Sequence, residues 1–285
     1  MMKNRLMPFA LLLALCLATL AHAEPPQGGP RFLGPKPPDK VKRVVTLAPS
    51  LTEMVMALGA TSSLVGVSRF DEAQEMATVP RVGGFVDPSV EAVVALKPDL
   101  VLVQPGPGNQ RPVEKMAEVG VPVLLLPLHT VADTLAALRA VGKALGKEKE
   151  ANVLVQRIES TRARIREAAK ARKSPRVLFV YGFEPLVVAG PGSFADELLR
   201  DAGGINIAAD AGSAYPVYSL ERVLRARPDV VVVSGMSAGK DKLASLPGLS
   251  RARWVELPSM ALLQPGPSLA RGLEELFQAL HGASR

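Results

Sequence analysis

Two stretches of this chain repeat one pattern 130 residues apart. The first is VEAVVALKPDLVLV, residues 90–103, and the second is LERVLRARPDVVVV, residues 220–233. In each, a helical pattern ends at a Pro-Asp pair, because proline lacks an amide hydrogen and restricts the residue before it. The unbroken apolar run that follows indicates a strand buried within a sheet. The repeat therefore predicts two similar α/β units in one chain.

Strand and helix patterns alternate around both copies of the repeat. In the first half, strands are predicted at 44–47, 64–67, 100–103 and 123–126, and helices after Ser50, at 89–96 and at 113–119. The spacing of Ser50 and Glu53 is that of a capping box. In the second half, strands are predicted at 176–180, 230–233 and 254–257, and helices at 194–201, 220–227 and 267–280. This alternation is typical of α/β proteins.

Between the two halves, residues 147–171 carry apolar side chains on one helical face. Such a helix would be about 37 Å long, which is enough to join two lobes. The predicted organisation is a signal peptide at 1–23, a Pro- and Gly-rich extended tether at 24–40, an N-terminal α/β lobe at 41–146, an interlobe helix at 147–172 and a C-terminal α/β lobe at 173–285.

The first 23 residues have the pattern of a cleaved secretory signal peptide. Lys3 and Arg5 precede an apolar segment at 9–20, and a small-x-small site ends at Ala23. The one cysteine, Cys16, lies inside this segment, and the residues before it lack the small residue that normally precedes a lipidated cysteine. Lipoprotein processing is therefore the less favoured alternative. Cleavage after Ala23 would leave a mature chain without thiol chemistry or disulfides.

Composition argues against several classes of function. The formal charge of +7 falls to +5 without the signal peptide, and no basic cluster is interleaved with aromatic residues, which disfavours a nucleic-acid partner. Histidine is scarce, and no G-x-S-x-G, H-E-x-x-H or P-loop spacing occurs. The loop Gly190-Pro191-Gly192-Ser193 is interpreted as a turn, because Pro191 removes an amide. The sequence thus predicts no catalytic residues, and it leaves a binding protein and a non-transport scaffold as alternatives.

Each copy of the repeat carries one glutamate in the first turn of its helix. Glu91 and Glu221 each follow a serine by two residues. The helix dipole favours a carboxylate there by about 0.3 to 1 kcal/mol, which is a purely structural explanation. A capping box would place its acid three residues after the serine, so these carboxylates are also free to contact a partner. Both interpretations stay open on the residues alone.

The order of several motifs resembles a known family. RVVTLAPSLTEMVMALGA, LVGVS, VEAVVALKPDLVLV, a long helix, ELLRDAGGINIA and LERVLRARPDVVVV follow one another within residues 41–280. This order resembles the periplasmic substrate-binding proteins of ABC importers for vitamin B12, haem and iron siderophores. The resemblance implies two Rossmann-like α/β lobes joined by a single long helix, a ligand cleft between them, a periplasmic monomer and an ABC importer permease dimer as partner. It also implies that Glu91 and Glu221 pair with arginines of that permease.

The aromatic side chains of the lobes are few, and six follow or precede predicted elements. They are Phe70, Phe85, Tyr181, Phe183, Tyr215 and Tyr218. Binding residues concentrate in loops carried by rigid lobes, so these six are the candidate ligand residues. Resemblance to the cobalamin-binding members implies aromatic cleft residues at Phe70, Phe85 and Tyr215. For Tyr181, Phe183 and Tyr218, packing over the surface of a lobe explains the presence of an aromatic side chain equally well.

A flat corrinoid is the first ligand hypothesis, because aromatic faces can stack on it. Haem would require tyrosine or histidine for its iron, with Tyr215 or Tyr218 as candidates and His129 interpreted as a surface or hinge residue. An anionic ferric siderophore would require basic groups, for which Arg69 and Arg111 are candidates. No protein cofactor or protein-bound metal is predicted, and the cobalt or iron would belong to the ligand.

Overall fold

The computed structural model describes residues 28–106, 108–233, 240–246, 249–257, 259–262 and 264–282. The predicted signal peptide and Cys16 lie outside the described residues. Among the helices described, we find none with the length and apolar character that a membrane crossing requires.

The N-terminal sheet has five strands in the order β1-β5-β4-β2-β3. They are β1 Arg31–Leu33, β2 Val44–Thr46, β3 Leu64–Gly66, β4 Leu100–Val103 and β5 Val123–Leu125. Strands β2 to β5 are parallel, and every residue of β2, β4 and β5 is buried, as expected for a sheet covered on both faces. The helices of this lobe are α1 Pro49–Ala57, α2 Val90–Ala95, α3 Gln110–Glu118 and α4 Val131–Ala144.

The C-terminal sheet has the order β10-β9-β6-β7, with β8 also paired to β6. Its strands are β6 Arg176–Phe183, β7 Leu186–Val188, β8 Ile205–Asn206, β9 Val230–Val233 and β10 Arg253–Glu256. All pairings are parallel except that of β6 with β7. The helices are α6 Phe194–Asp201, α7 Leu220–Ala226, α8 Lys240–Ala244 and α9 Leu269–His281. The predicted two-lobed α/β fold class is confirmed.

Helix α5, Glu148–Lys170, connects the two lobes. Its buried face contains the apolar positions whose spacing predicts the helix, namely Ala151, Val155, Ile158, Ile165 and Ala169. It packs against α4, α6 and α9. One hydrophobic core runs from β2 and α1 through α4 and α5 to β6 and α9. Because interiors are close-packed, this shared core makes the interlobe connection stiff.

A buried ionic cluster reinforces the same connection. Arg162 of α5 donates through Nε to Asp201 Oδ2 and through Nη2 to Glu197 Oε1, both at 2.6 Å, and its side chain is 11% exposed. Glu197 Oε2 also accepts from the amide of Val131, at 3.0 Å. Burial alone would lower the pKa of Arg162, but the hydrogen bonds and charges of Asp201 and Glu197 outweigh it and raise that pKa. The cluster therefore ties α5 and α6 to the first residue of α4.

Both copies of the repeat end their helices with the same backbone. Lys97 and Arg227, the residues before the two prolines, have φ of 46° and 48°. This left-handed conformation costs about 1 to 2 kcal/mol for a residue with a side chain, so other interactions must stabilise it. The two prolines explain part of it, because they disfavour the right-handed helical conformation at the preceding residue.

The aspartates of the repeat supply further compensation. Asp99 Oδ2 accepts from the amide of Arg43 at 2.9 Å, and Asp229 Oδ2 accepts from the amide of Arg176 at 2.7 Å. Each arginine in turn donates to a carbonyl at the end of the helix before the turn. The Pro-Asp element thus fastens each helix end to the strand beside it, which explains most of the repeated sequence by folding alone.

The first described residues correct the prediction of a tether over 24–40. Strand β1 pairs antiparallel with β5, and Leu33 packs against the core on one face of the sheet. Gly34 follows with φ of 72°, and a Cβ there would lie 2.7 Å from the carbonyl oxygen of Val121. The Pro- and Gly-rich composition hid this strand, because its three residues acquire their structure only by pairing with a sheet edge.

The capping box predicted at Ser50 and Glu53 is wrong. Helix α1 begins at Pro49, where proline is favoured in the first turn, so Ser50 already lies inside the helix. Glu53 instead accepts hydrogen bonds from the amide and hydroxyl of Ser268, at 3.1 and 3.2 Å, just before α9. Glu53 therefore forms a polar contact between the two lobes.

We expect Glu53→Gln to raise stability at neutral pH. Burial raises the pKa of Glu53, against the opposing hydrogen bonds of Ser268 and the charge of Arg271. The folded state then holds the proton more tightly than the unfolded chain, so the free energy of unfolding falls as pH rises through that raised pKa. Glutamine keeps an acceptor for Ser268 and removes the charge. Denaturant titrations should place the variant above the wild type at neutral pH, with the difference gone below about pH 4.

Glu53→Ala is the matched comparison for this prediction. It removes both hydrogen bonds to Ser268 and should cost about 1 kcal/mol. A glutamine variant that is less stable than the wild type at neutral pH would show that the charge itself stabilises the contact.

Candidate functional site

A cavity of about 550 Å³ lies between the two lobes. The N-terminal side consists of residues 48–50 after β2, Phe85, 104–106 after β4, and Leu128 and His129 after β5. The C-terminal side consists of Tyr181, Phe194, Tyr215, Leu262, Gln264 and Pro265. Ligands of open α/β sheets bind outside the carboxyl ends of the strands, which is where this interlobe cleft lies.

Three of the predicted aromatic residues converge in the cleft. Phe85 comes from the N-terminal lobe, and Tyr181 and Tyr215 come from the C-terminal lobe. The rings of Tyr181 and Tyr215 meet edge to face, with centroids 5.3 Å apart. Phe85 and Tyr215 are separated by 130 residues, so they occupy the same position relative to the two copies of the repeat. The duplication therefore supplies one aromatic wall from each lobe.

Asn109 holds the loops that form the N-terminal wall, a role that no sequence motif predicts. It is 2% exposed, and its Nδ2 donates to the carbonyls of Phe85 and Gln104, both at 2.9 Å. Its Oδ1 accepts from the amide of Gly106 at 3.0 Å. One feature of the sequence could still have indicated this role, namely an asparagine directly after Gly-Pro-Gly. Asparagine side chains often hydrogen-bond to backbone groups that turns leave unpaired.

The electrostatics of the cleft are those of a neutral site. Within the described part of the chain, no aspartate, glutamate, lysine or arginine lines it. The pKa of Tyr181 is raised by burial, with a further contribution from Tyr215, so Tyr181 is a neutral phenol at neutral pH. The lining can stack on a flat ligand and can offer it hydrogen bonds from Ser50, Gln104 and Gln264.

His129, interpreted from the sequence as a surface or hinge residue, is indeed at the surface and also lines the cleft. It is exposed and lies just after β5, on the wall that faces the ligand space. Across the described ranges, no group of three or more histidine, cysteine, aspartate or glutamate residues is placed to hold a metal ion.

Phe183 and Tyr218 lie elsewhere, which corrects their assignment to the cleft. They line a separate pocket of about 320 Å³ in the C-terminal lobe. Tyr218 is 4% exposed, its hydroxyl donates to the carbonyl of Ile207 at 3.0 Å, and Arg222 lies 4.5 Å from its ring centroid. Tyr218 is therefore a satisfied core residue.

Tyr181 and Phe183 also correct the expectation that all six aromatic residues lie in connections. Strand β6 continues to Phe183, three residues beyond the predicted end, because β7 pairs with its last part. A strand that gains its length from a neighbour leaves no local signal of where it ends.

Phe70 contacts the loop of Phe85 but is not part of the cleft lining. It is 52% exposed, and a Cβ on Gly84 would lie 2.9 Å from its ring. The guanidinium of Arg69 lies 5.0 Å from the Phe70 centroid and pairs with Asp87 at 2.8 Å. Arg69 is therefore already engaged, and it does not line the cleft as a cation for a siderophore.

Glu91 and Glu221 both lie exposed in the first turns of α2 and α7. Ser89 and Ser219 accept from the third amide of their helices, so capping does not depend on the glutamates. Glu91 accepts weakly from Ser89 Oγ, at 3.3 Å. Glu221 pairs with Arg225 at 2.6 Å, with both side chains more than three-quarters exposed. Both carboxylates are thus accessible to a partner, but they start from different local charge environments.

The chain matches known proteins over most of its length. The family model described as periplasmic binding protein matches residues 44–255. The vitamin B12-binding protein of Salmonella typhimurium is 34% identical over 198 residues, which cover 68% of this chain and 72% of that protein. These matches extend over both lobes and the helix between them.

Solved structures share the fold. The periplasmic heme-binding protein RhuT from Roseiflexus sp. RS-1 superimposes with a TM-score of 0.75 at 30% identity, over 84% of this chain and 98% of that chain. The periplasmic vitamin B12 binding protein BtuF of Vibrio cholerae has a TM-score of 0.71 at 23% identity, over 85% of this chain and 98% of that chain, and shows the fold alone. The chain therefore belongs to the periplasmic binding protein family and is a substrate-binding protein of the ABC importer type.

Proposed function

We propose that the protein captures a corrinoid of the vitamin B12 type in the interlobe cleft and delivers it to the permease dimer of an ABC importer. It acts as a monomer in the periplasm, to which the signal peptide of residues 1–23 directs it. Glu91 and Glu221 contact arginines of the permease, one from each lobe. Such charge-assisted contacts give specificity and orientation to an interface.

The observation that carries the corrinoid proposal is the convergence of Phe85, Tyr181 and Tyr215 in a neutral cleft. A corrin ring is flat, and its periphery is rich in uncharged amides. Aromatic faces stack on such a ring, and neutral side chains hydrogen-bond to its amides. The curated relatives named as vitamin B12-binding proteins support the same choice. A ferric siderophore with exposed negative charge is less well matched by this lining.

Haem is the second candidate, favoured by one specific observation. His129 and Tyr215 both line the cleft, and haem iron is commonly held by histidine or tyrosine. The solved heme-binding relative at 30% identity adds weight to this candidate. In either case the metal belongs to the ligand, and the protein surrounds it.

Thermal melts of the purified mature protein identify the ligand. A ligand that binds only the folded state adds RT ln(1 + [L]/Kd), which is about 2.7 kcal/mol at a hundred-fold excess over Kd. We expect cyanocobalamin to raise Tm by several degrees. Haemin and a set of ferric siderophores are the competing arms. A shift with haemin alone would select the second candidate, and no shift with any of them would contradict the proposed ligand class.

A further inference from the structure

A second pocket of about 470 Å³ adjoins the interlobe cleft. It lies between β1, the end of β5 and the start of α3, and we call it the side pocket. Pro105, Gly106 and His129 line both the side pocket and the cleft. The side pocket and the cleft therefore lie next to each other along these three residues.

Arg31 is placed at the mouth of the side pocket by strand register. It pairs with Leu125, the last residue of β5, so it lies at the carboxyl edge of the parallel strands. Leu33, on the same face of β1, packs towards α3, whereas Phe32 points the other way and is 49% exposed. Strand β1 thus places Arg31 at the edge of the sheet where α/β proteins bind ligands.

The two basic side chains of the side pocket are available to a ligand. Neither the Arg31 guanidinium nor the His129 ring makes a hydrogen bond or ion pair with a described residue, although both line the pocket. The carboxylate on the lining, Glu114, accepts from Gln110 Nε2 at 2.9 Å. Since the cleft itself is neutral over the described residues, Arg31 supplies a positive charge beside it.

This charge comes from outside the part of the chain that matches the family. The family match begins at residue 44, whereas β1 ends at Leu33. The side pocket therefore owes one wall, and its arginine, to a strand that precedes the residues matched by the family model.

We propose that the side pocket binds an oxyanion arm of the ligand whose flat body occupies the cleft, with Arg31 as its charged partner. The inference rests on the proposed function. The shared chemistry is an anionic oxygen group on a short arm, which is the phosphodiester of the nucleotide loop in a corrinoid and a propionate carboxylate in haem. A guanidinium binds either group through paired N–H donors.

The test compares ligands with and without the arm on two proteins. Binding of cyanocobalamin is compared with that of dicyanocobinamide, which lacks the nucleotide loop, and binding of haemin with that of its dimethyl ester. For the ligand that binds, Arg31→Gln should weaken the complete form by about ten-fold or more, and leave the form without the arm unchanged. Wild-type protein should prefer the complete form by a similar factor, a comparison that does not depend on any variant folding.

The matched control is Arg157→Gln, an exposed arginine on α5 far along the chain from the side pocket. It should bind all four probes as the wild type does. Equal weakening of both forms by Arg31→Gln, or weakening of neither, would overturn the inference while the proposed function stands. If the wild-type protein binds none of the four probes, the proposed function and the side-pocket assignment are both overturned.

Discussion

Arg162→Ala is expected to lower the free energy of unfolding by about 3 kcal/mol or more. The substitution leaves Asp201, 5% exposed, and Glu197, 25% exposed, without the guanidinium that both of them contact. Removing one member of a largely buried ionic cluster costs more than the cluster contributes, because water replaces the lost guanidinium only in part, even though Asp201 keeps its contact with Arg166. Denaturant titration with an unchanged m-value would measure this loss directly.

Two companion variants separate the buried cluster from ordinary surface charge. Arg166 also contacts Asp201, at 2.6 Å, but its side chain is 53% exposed, so Arg166→Ala should cost no more than about 1 kcal/mol. Arg162→Lys keeps the charge but loses the fork that reaches two carboxylates, and should fall between the other two. An Arg162→Ala protein as stable as Arg166→Ala would show that the cluster does not hold α5 against α6.

The double variant Glu91→Ala/Glu221→Ala is expected to lose ligand uptake while keeping ligand affinity. Each glutamate is proposed to make one charge-assisted contact with the permease, and such contacts contribute about 1.5 to 3 kcal/mol each. The sites belong to different lobes, so the losses should add, giving a reduction in permease affinity on the order of a hundred-fold or more. Uptake of ligand by vesicles that carry the cognate permease measures it.

Controls for the docking prediction come from the same chain. Glu167 on α5 is 73% exposed and pairs with Lys170, so Glu167→Ala removes a comparable surface carboxylate and should leave uptake unchanged. Arg225→Gln removes the internal partner of Glu221 and should maintain or strengthen docking. If either docking glutamate proves necessary for ligand binding itself, its proposed role is wrong.

The fold was predictable where local pattern and tertiary structure agree. Strands 100–103 and 230–233 and helix 194–201 have the predicted bounds, because buried parallel strands and an amphipathic helix leave strong periodic signals. The strands β1, β7 and β8 were missed because two or three residues gain their structure from the neighbour they pair with. Ser50 and Glu53 have the spacing of a capping box, but helix α1 already begins at Pro49, so Ser50 lies inside the helix and cannot cap it.

The candidate site was predictable in part, since three of the six candidate aromatic residues, Phe85, Tyr181 and Tyr215, line the cleft. Phe85 and Tyr215 precede the two repeated helices, and the fold brings them to one cleft. Tyr218 is only three residues from Tyr215, yet its hydroxyl and ring are satisfied inside the lobe, and no sequence pattern separates the two tyrosines. Asn109 was missed as a site residue, because its role depends on contacts between loops far apart in sequence, and the position of His129 in the cleft lining likewise depends on the fold.

Equilibrium titration with cyanocobalamin tests the central claim most directly, using wild type, Phe85→Ala/Tyr215→Ala and the control Phe32→Ala. Phe32 is half-exposed on β1 and lies outside the cleft lining, so the control should bind as the wild type does. We predict saturable one-to-one binding to the wild type. The double variant should bind more weakly, on the order of a hundred-fold or more, because burying each of the two rings against the ligand contributes about 1.5 to 3 kcal/mol. Wild-type protein that does not bind cyanocobalamin, or a double variant that binds it as tightly as the wild type, would contradict the corrinoid cleft.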